Sequence, residues 1–242
     1  GYGSMMGSIS TDMLSSTPTY VGGLNACING QGFFATQAIS TKEIDVDGDA
    51  ADVTDALKEA EFAYTRVGQF QLDSQGYLTD GTNFIYGFRP DGNKGFETGS
   101  LVALRVPSDL NNGFDDDALQ AASVKINELG EVTATVTNPD NGESVQVSLG
   151  KIAIVTFQNQ EGLMKSGGSY YSASIGDNTG FCSATIPGGS TSKLMTGYLE
   201  ASNVDLAKEF SEMITTQRGF QANTKMITVS DEILSDLISM KR

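Results

Sequence analysis

Leu206-Ala207-Lys208-Glu209-Phe210-Ser211-Glu212-Met213-Ile214, continued through Gln217 and Phe220 to Ile238, divides this chain into two kinds of polypeptide. From Asn203 to Arg242 there is one glycine, Gly219, and no proline. Leu206, Phe210, Met213, Phe220, Ile227, Leu234 and Ile238 follow a spacing of three and four, and Gln217, Thr224 and Asp231 fall in the same register. That repeat predicts one long helix of coiled-coil type with polar breaks in its seam. A second apolar set, Ala207, Ile214, Val229, Ile233 and Leu237, widens the stripe. Ser202 or Asn203 is expected to cap its start, Asp205 and Glu209 suit its positive end, and Lys241 and Arg242 its negative end. A helix over 203–242 would be roughly 60 Å long and cannot cover its own seam. No second long helix is legible in residues 1–202. Alone, the segment is expected to be disordered or to pair with a copy from another molecule.

Outward from that helix the pattern changes. Gly, Thr, Ser and Val punctuate residues 1–200, which predicts a mainly β domain of short strands. Phe70 and Leu72 alternate with Gln69, Gln71 and Asp73, the period of a half-buried strand, and Asp73-Ser74-Gln75-Gly76 is a turn. Val124–Ile126, Val132–Val136 and Val145–Leu149 read as strands, followed by the apolar run Ile152–Phe157; Asn138-Pro139-Asp140-Asn141-Gly142 reads as a hairpin loop. Asn29-Gly30 suits a tight hairpin. Residues 158–200 read as loop-rich. Residues 42–61 carry eight acids and two lysines, and read as an exposed acidic insertion with a short helix near 54–61 capped by Thr54.

Composition narrows the chemistry. Thirty acids against fifteen bases give a net charge of −15, which disfavours nucleic acid and anionic membrane surfaces as partners. No apolar run is long enough to span a bilayer, and Gly1-Tyr2-Gly3-Ser4 opens no recognisable secretory signal. Histidine is absent, which removes Ser-His-Asp and Cys-His nucleophiles and His-ligated metals. Cys27 and Cys182 are read as unpaired small apolar residues. Asp45-Val46-Asp47-Gly48-Asp49 has the start of a calcium loop, but Ala50 stands where the turn needs Gly and Ala56 where it needs Glu, so tight calcium binding is not expected. Arg66 and Arg218 are read as structural. No catalytic residue, cofactor site or metal site is assigned, and the chain is read as no enzyme.

Several stretches together resemble one family. Gly197-Tyr198-Leu199-Glu200-Ala201-Ser202-Asn203-Val204-Asp205-Leu206 and Met213-Ile214-Thr215-Thr216-Gln217-Arg218-Gly219-Phe220-Gln221-Ala222-Asn223 resemble the junction and helix motifs of the bacterial flagellar hook and rod axial family. Tyr64-Thr65-Arg66-Val67-Gly68-Gln69-Phe70, Ile28-Asn29-Gly30-Gln31-Gly32-Phe33-Phe34 and Ile154-Val155-Thr156-Phe157-Gln158-Asn159 are similar to its strand motifs, in the family's order.

The resemblance implies a structural subunit, exported by the flagellum-specific type III apparatus without a cleaved signal peptide. It implies a homo-polymer stacking into a tube that transmits torque, with rod, hook-cap and hook–filament junction proteins as neighbours in the hook or basal body. By the same resemblance, residues 1–200 form an outer β layer and 203–242 an inner coiled-coil layer whose polymer interface is Leu206, Phe210, Met213, Gln217, Phe220, Thr224, Ile227, Leu234 and Ile238. The family's N-terminal helix, of Asn-Asn-Ile-Ala-Asn type, is not found in these residues, and a chain lacking it is expected to polymerise poorly. Ser230-Asp231-Glu232-Ile233-Leu234 and Met240-Lys241-Arg242 look more like the compact hook protein than the distal rod protein. Hook subunit is the first reading and distal rod the alternative. Rival classes are a cell-surface β adhesin with a helical stalk, which the 203–242 motifs oppose, and an acidic hydrolase, which the lack of histidine opposes.

Overall fold

Phe33 and Phe34 are neighbours in the chain and both are fully buried, one in each of two hydrophobic clusters. Successive side chains of a strand point to opposite faces, so the strand Phe33–Gln37 is covered on both sides. The computed structural model describes residues 17–38, 42–91, 95–106, 123–137, 144–188 and 192–240. It divides into two compact units, Gly1–Ala201 and Ser202–Arg242. The first is mostly β and the second is a helix.

In the β unit the strand order runs Ser123–Ile126, Glu131–Thr137, Ser144–Ile152, Phe84–Phe88, Phe33–Gln37, Ala63–Thr65, Tyr170–Ser172, Met164–Gly167. Ile154–Phe157 branches from Phe33–Gln37 and carries Cys182–Thr185. Two smaller pairs stand apart: Pro18–Tyr20 with Tyr198–Glu200, and Ala26–Asn29 with Lys193–Thr196. The pairings named are antiparallel. One cluster packs Phe33, Phe62, Tyr64, Tyr86 and Phe157, with Phe62–Tyr86 and Tyr64–Phe157 edge-to-face at 4.9 and 4.8 Å. The Tyr64 hydroxyl donates to the Leu57 carbonyl at 3.2 Å, and burial pushes its phenol pKa up. The other packs Phe34 against Phe70 at 5.1 Å, with Ile85, Leu104, Ile152 and Ile154 around them.

The fold class read from the sequence, mainly β with one long C-terminal helix, is the class observed. The alternation at Gln69–Asp73 holds: Phe70 is buried and Gln71 exposed, and Asp73 closes the turn by accepting from Gln75 and Tyr77 N–H at 2.8 Å. Three local expectations need correction. The Asn29-Gly30 turn closes no hairpin; Ala26–Asn29 pairs with Lys193–Thr196, while Phe33–Gln37 enters the large sheet. The turn chemistry was legible, but strand pairing is set by distant segments. The described residues of 158–200 hold five strands, each too short to show a period. The loop 138–142 lies outside the described residues.

The third correction concerns 42–61. The helix α1 spans Ala50–Glu59, starting four residues before Thr54. The Thr54 hydroxyl donates to Ala50 O at 2.6 Å within the helix and accepts from Cys182 N–H at 3.1 Å across to the sheet. The eight acids are exposed, but Ile44, Val46 and Leu57 beneath them belong to the core. The helix expected near 54–61 is present but starts earlier, and the segment is docked on the core through its apolar face instead of being wholly exposed. Burying Leu57 decides this; the eight charges only mark the outer face. Cys27 and Cys182 are free and buried, in keeping with small apolar core residues.

Arg66 ties the sheet to the chain's exit. Its Nε donates to Glu200 Oε2 at 2.8 Å, Nη1 to the Gly32 carbonyl at 2.9 Å and Nη2 to the Gly30 carbonyl at 3.1 Å. A planar fork with five donors suits such divergent acceptors better than an ammonium. Beside it, a Cβ on Gly68 would sit 1.7 Å from the Ala26 carbonyl oxygen, a close approach only glycine permits.

Candidate assembly interface

Asp205 starts the second unit's helix. Its carboxylate accepts from Ala207 N–H at 2.9 Å and Lys208 N–H at 3.3 Å. The cap is therefore Asp205, not Ser202 or Asn203, since a cap must immediately precede the first helical residue; Ser202 instead bonds Val204 N–H at 3.3 Å. The helix α2 then runs Leu206–Met240 without interruption. Lys241 and Arg242 lie outside the described residues.

Every residue of α2 is exposed. Leu206, Phe210, Met213, Phe220, Ile227, Leu234 and Ile238 all stand on its surface, with Phe220 at 70% and Ile238 at 72% of full exposure. Gln217, Thr224 and Asp231 are exposed in the same register. Thr224 is a seam polar group that has already found its partner: its hydroxyl donates to Phe220 O at 3.0 Å. Thr215, Thr216 and Ser230 do the same four residues back, at 2.9 Å. Their donors need nothing from a neighbour, so covering them would leave no orphan. Gln217 and Asp231 differ, because an amide and a carboxylate in a covered seam would need partners.

A seven-residue repeat drifts by about 20° per heptad on a straight helix. By Leu234 and Ile238 the seam has rotated well away from Leu206. Val229, Ile233 and Leu237 then stand roughly 120° from Ile227, Leu234 and Ile238 around the axis. Met226 and Met240, which the heptad reading did not include, fall on that second stripe and are among the most exposed apolar residues of the helix. The second set is thus a separate stripe in the C-terminal half, not a widening of the first. Testing both helical faces at the standard periodicity would have found the two methionines.

Among the described residues no group of three or more His, Cys, Asp or Glu could hold a metal ion. No described helix is long and apolar enough to cross a membrane.

Comparison with known proteins agrees in kind. Residues 195–240 match the family described as "Flagellar basal body rod FlgEFG protein C-terminal". The chain is 35% identical to the flagellar basal-body rod protein FlgG of Bacillus subtilis over 100% of its own length and 75% of that protein. It is 40% identical to the flagellar hook protein FlgE of Treponema pallidum over 49% of this chain and 24% of that one. With the hook protein FlgE of Salmonella typhimurium the figures are 37%, 57% and 32%. The chain thus spans three quarters of the Bacillus relative and a third or less of the two hook proteins. A family match that ends on the uninterrupted C-terminal helix, and a 35% likeness to a rod protein that continues through the whole β unit, establish that this chain belongs to the flagellar hook and rod family of axial structural proteins.

Proposed function

We propose that the chain is a subunit of the flagellar hook, polymerising through α2 into a tube that passes motor torque to the filament. The observation that carries this reading is the exposed apolar seam of a 35-residue helix. Surfaces of that kind rarely stay in water. The interface comprises Leu206, Phe210, Met213, Gln217, Phe220, Thr224, Ile227, Leu234 and Ile238, covered by an N-terminal helix and by neighbouring copies as an inner coiled-coil layer. The β unit forms the outer layer. The described chain begins at Thr17, and Ala201 N–H bonds the Thr17 carbonyl at 3.3 Å. The first described residue of the β unit and its last thus lie side by side at one edge. Rod, hook-cap and junction proteins are its axial neighbours, type III export without a cleaved signal its route, and its role is structural, not enzymatic.

The ending Ser230–Leu234 and Met240-Lys241-Arg242 supports the hook. A second reading, distal rod, is supported by the whole-chain likeness to a protein named as a rod component. The test of assembly is Phe220→Asp in the full-length protein, followed by sedimentation and swimming motility. An unpaired charge in a packed seam costs several kcal/mol, on the order of 3–5, so we expect loss of polymers and of motility with the β unit still folded. Wild-type assembly by this variant would remove α2 as the polymerisation element. Gold-labelled antibody on isolated hook–basal bodies separates the two positions.

A further inference from the structure

The β unit displays apolar groups that the helix seam does not account for. Ile175 and Phe181 are 62% and 57% exposed, both between the strands Tyr170–Ser172 and Cys182–Thr185. The segment bearing them is firmly held. Asp177 accepts from Ser174 N–H at 2.8 Å, from the Thr179 N–H at 3.1 Å and from the Thr179 hydroxyl, and pairs with Lys58 of α1 at 2.8 Å. Asn159 donates from its backbone to Thr179 O at 2.9 Å and from its side chain to Asn178 O at 2.8 Å. Gln158 N–H donates to Phe181 O at 2.9 Å. Gly180 sits at φ +70°, where a Cβ would come within 2.6 Å of Gln158 Oε1. An exposed aromatic on so constrained a backbone is pre-organised, the state in which such residues anchor protein contacts at least entropic cost.

Phe181 stands at a cleft of about 580 Å³ whose walls include Gln31, Thr156, Gln158, Ser183 and Thr185. Among the described lining residues there is no Asp, Glu, Lys or Arg. The chain as a whole carries −15. Copies of so acidic a protein repel least where the surfaces that meet carry no charge. The cleft wall Cys182–Thr185 pairs only with Ile154–Phe157 among the described strands, and the Thr54 hydroxyl occupies the Cys182 N–H. Contacts here are therefore made by side chains, not by adding a strand at Cys182.

We propose that this uncharged cleft, with Phe181 at its rim, is a contact between the β units of neighbouring copies of this chain. The proposal rests on the assembly reading above and adds a second, lateral interface to the helix seam. Phe181→Asp and, separately, Ser183→Asp put a carboxylate into the cleft. Both positions are exposed, so unfolding midpoints should match wild type. Sedimentation equilibrium of the 242-residue chain over a concentration series, beside Phe220→Asp, reads the outcome. We expect each cleft variant to weaken self-association about tenfold or more, and a photo-crosslinking residue in place of Phe181 to trap covalent dimers. If both cleft variants associate like wild type while Phe220→Asp falls apart, the cleft is no interface and the assembly reading stands. If crosslinked dimers form at position 181 while Phe220→Asp associates normally, the cleft survives and the helix reading falls. A wild-type chain that stays monomeric throughout the series overturns the cleft proposal.

Discussion

The β unit and α2 solve the same problem in opposite ways. In the β unit even charged groups find partners inside: Lys58 and Asp177 pair at 2.8 Å with side chains 7% and 6% exposed, and Arg66 binds Glu200 and the carbonyls of its own turn. In α2 nothing is buried, and the polar groups that are satisfied bond to the carbonyl one turn back. One unit closes its core within itself. The other satisfies its backbone locally and leaves its apolar surface for another chain or segment. Helices can do this because their hydrogen bonds are internal, whereas a strand must find another strand before its backbone groups are paired.

That contrast can be broken where the β unit depends on its buried charges. Lys58→Met leaves Asp177 buried without its cation. We expect the β unit to lose about 3 kcal/mol in urea unfolding, read at tyrosine fluorescence. A loss below about 0.5 kcal/mol would mean that the pair behaves as a surface one.

Arg66→Lys should cost about 2 kcal/mol, since an ammonium cannot reach Glu200 and the Gly32 and Gly30 carbonyls together. The same unfolding measurement applies. An unchanged midpoint would show that the junction at Glu200 needs only a positive charge.

Acid offers a sharper separation of the two units. Burial pushes the Asp177 carboxyl up, but Lys58, the Thr179 hydroxyl and the Ser174 and Thr179 amides outweigh it and hold the pKa at about 2, below its ordinary 3.8. A depressed carboxylate stabilises the fold above its unfolded pKa, and that contribution disappears as pH falls through the folded value. The β unit should therefore weaken between about pH 4 and about pH 2. Lys58→Met should flatten that dependence, because it removes part of the depression. Equal acid slopes in the two proteins would exclude Lys58 as a cause.

The smallest effect is on α2. Nothing lies within 4 Å of where a Cβ would sit on Gly219. Gly219→Ala should raise helix stability by roughly 0.5–1 kcal/mol, seen as increased far-UV ellipticity on heating. If helicity rises while assembly fails, Gly219 is where a neighbour's backbone comes close.

Legibility in the sequence followed the range of the interactions. Phe70, Gln71 and the Asp73 turn were readable because period and turn chemistry are local. The start of α1 was not: its N-cap, Asp49, is one acid among eight and makes no side-chain cap hydrogen bond, and the helix is positioned by Leu57 in the core and Thr54 against Cys182. The Asn29-Gly30 turn was identified, but Ala26–Asn29 pairs with Lys193–Thr196, and Phe33–Gln37 with Ala63–Thr65, Phe84–Phe88 and Ile154–Phe157, none of them its neighbour across the turn. On α2, every residue is exposed, so exposure singles out no seam, and Met226 and Met240 were missed because a strict heptad follows one stripe and a straight helix drifts off it.

From sequence alone came the division into a β-rich region and one long helix, the seam along that helix, and the likeness to flagellar axial proteins. All three rest on periodicity and on ordered motifs, which are written along the chain. Only the tertiary structure decided that Thr17 and Ala201 meet, that Arg66 gathers Glu200 with the Gly30 and Gly32 carbonyls, that the acidic segment docks as a helix, and that Phe181 is held out over an uncharged cleft. Each of these joins residues far apart in sequence, and such pairings are chosen by packing, which no local pattern encodes.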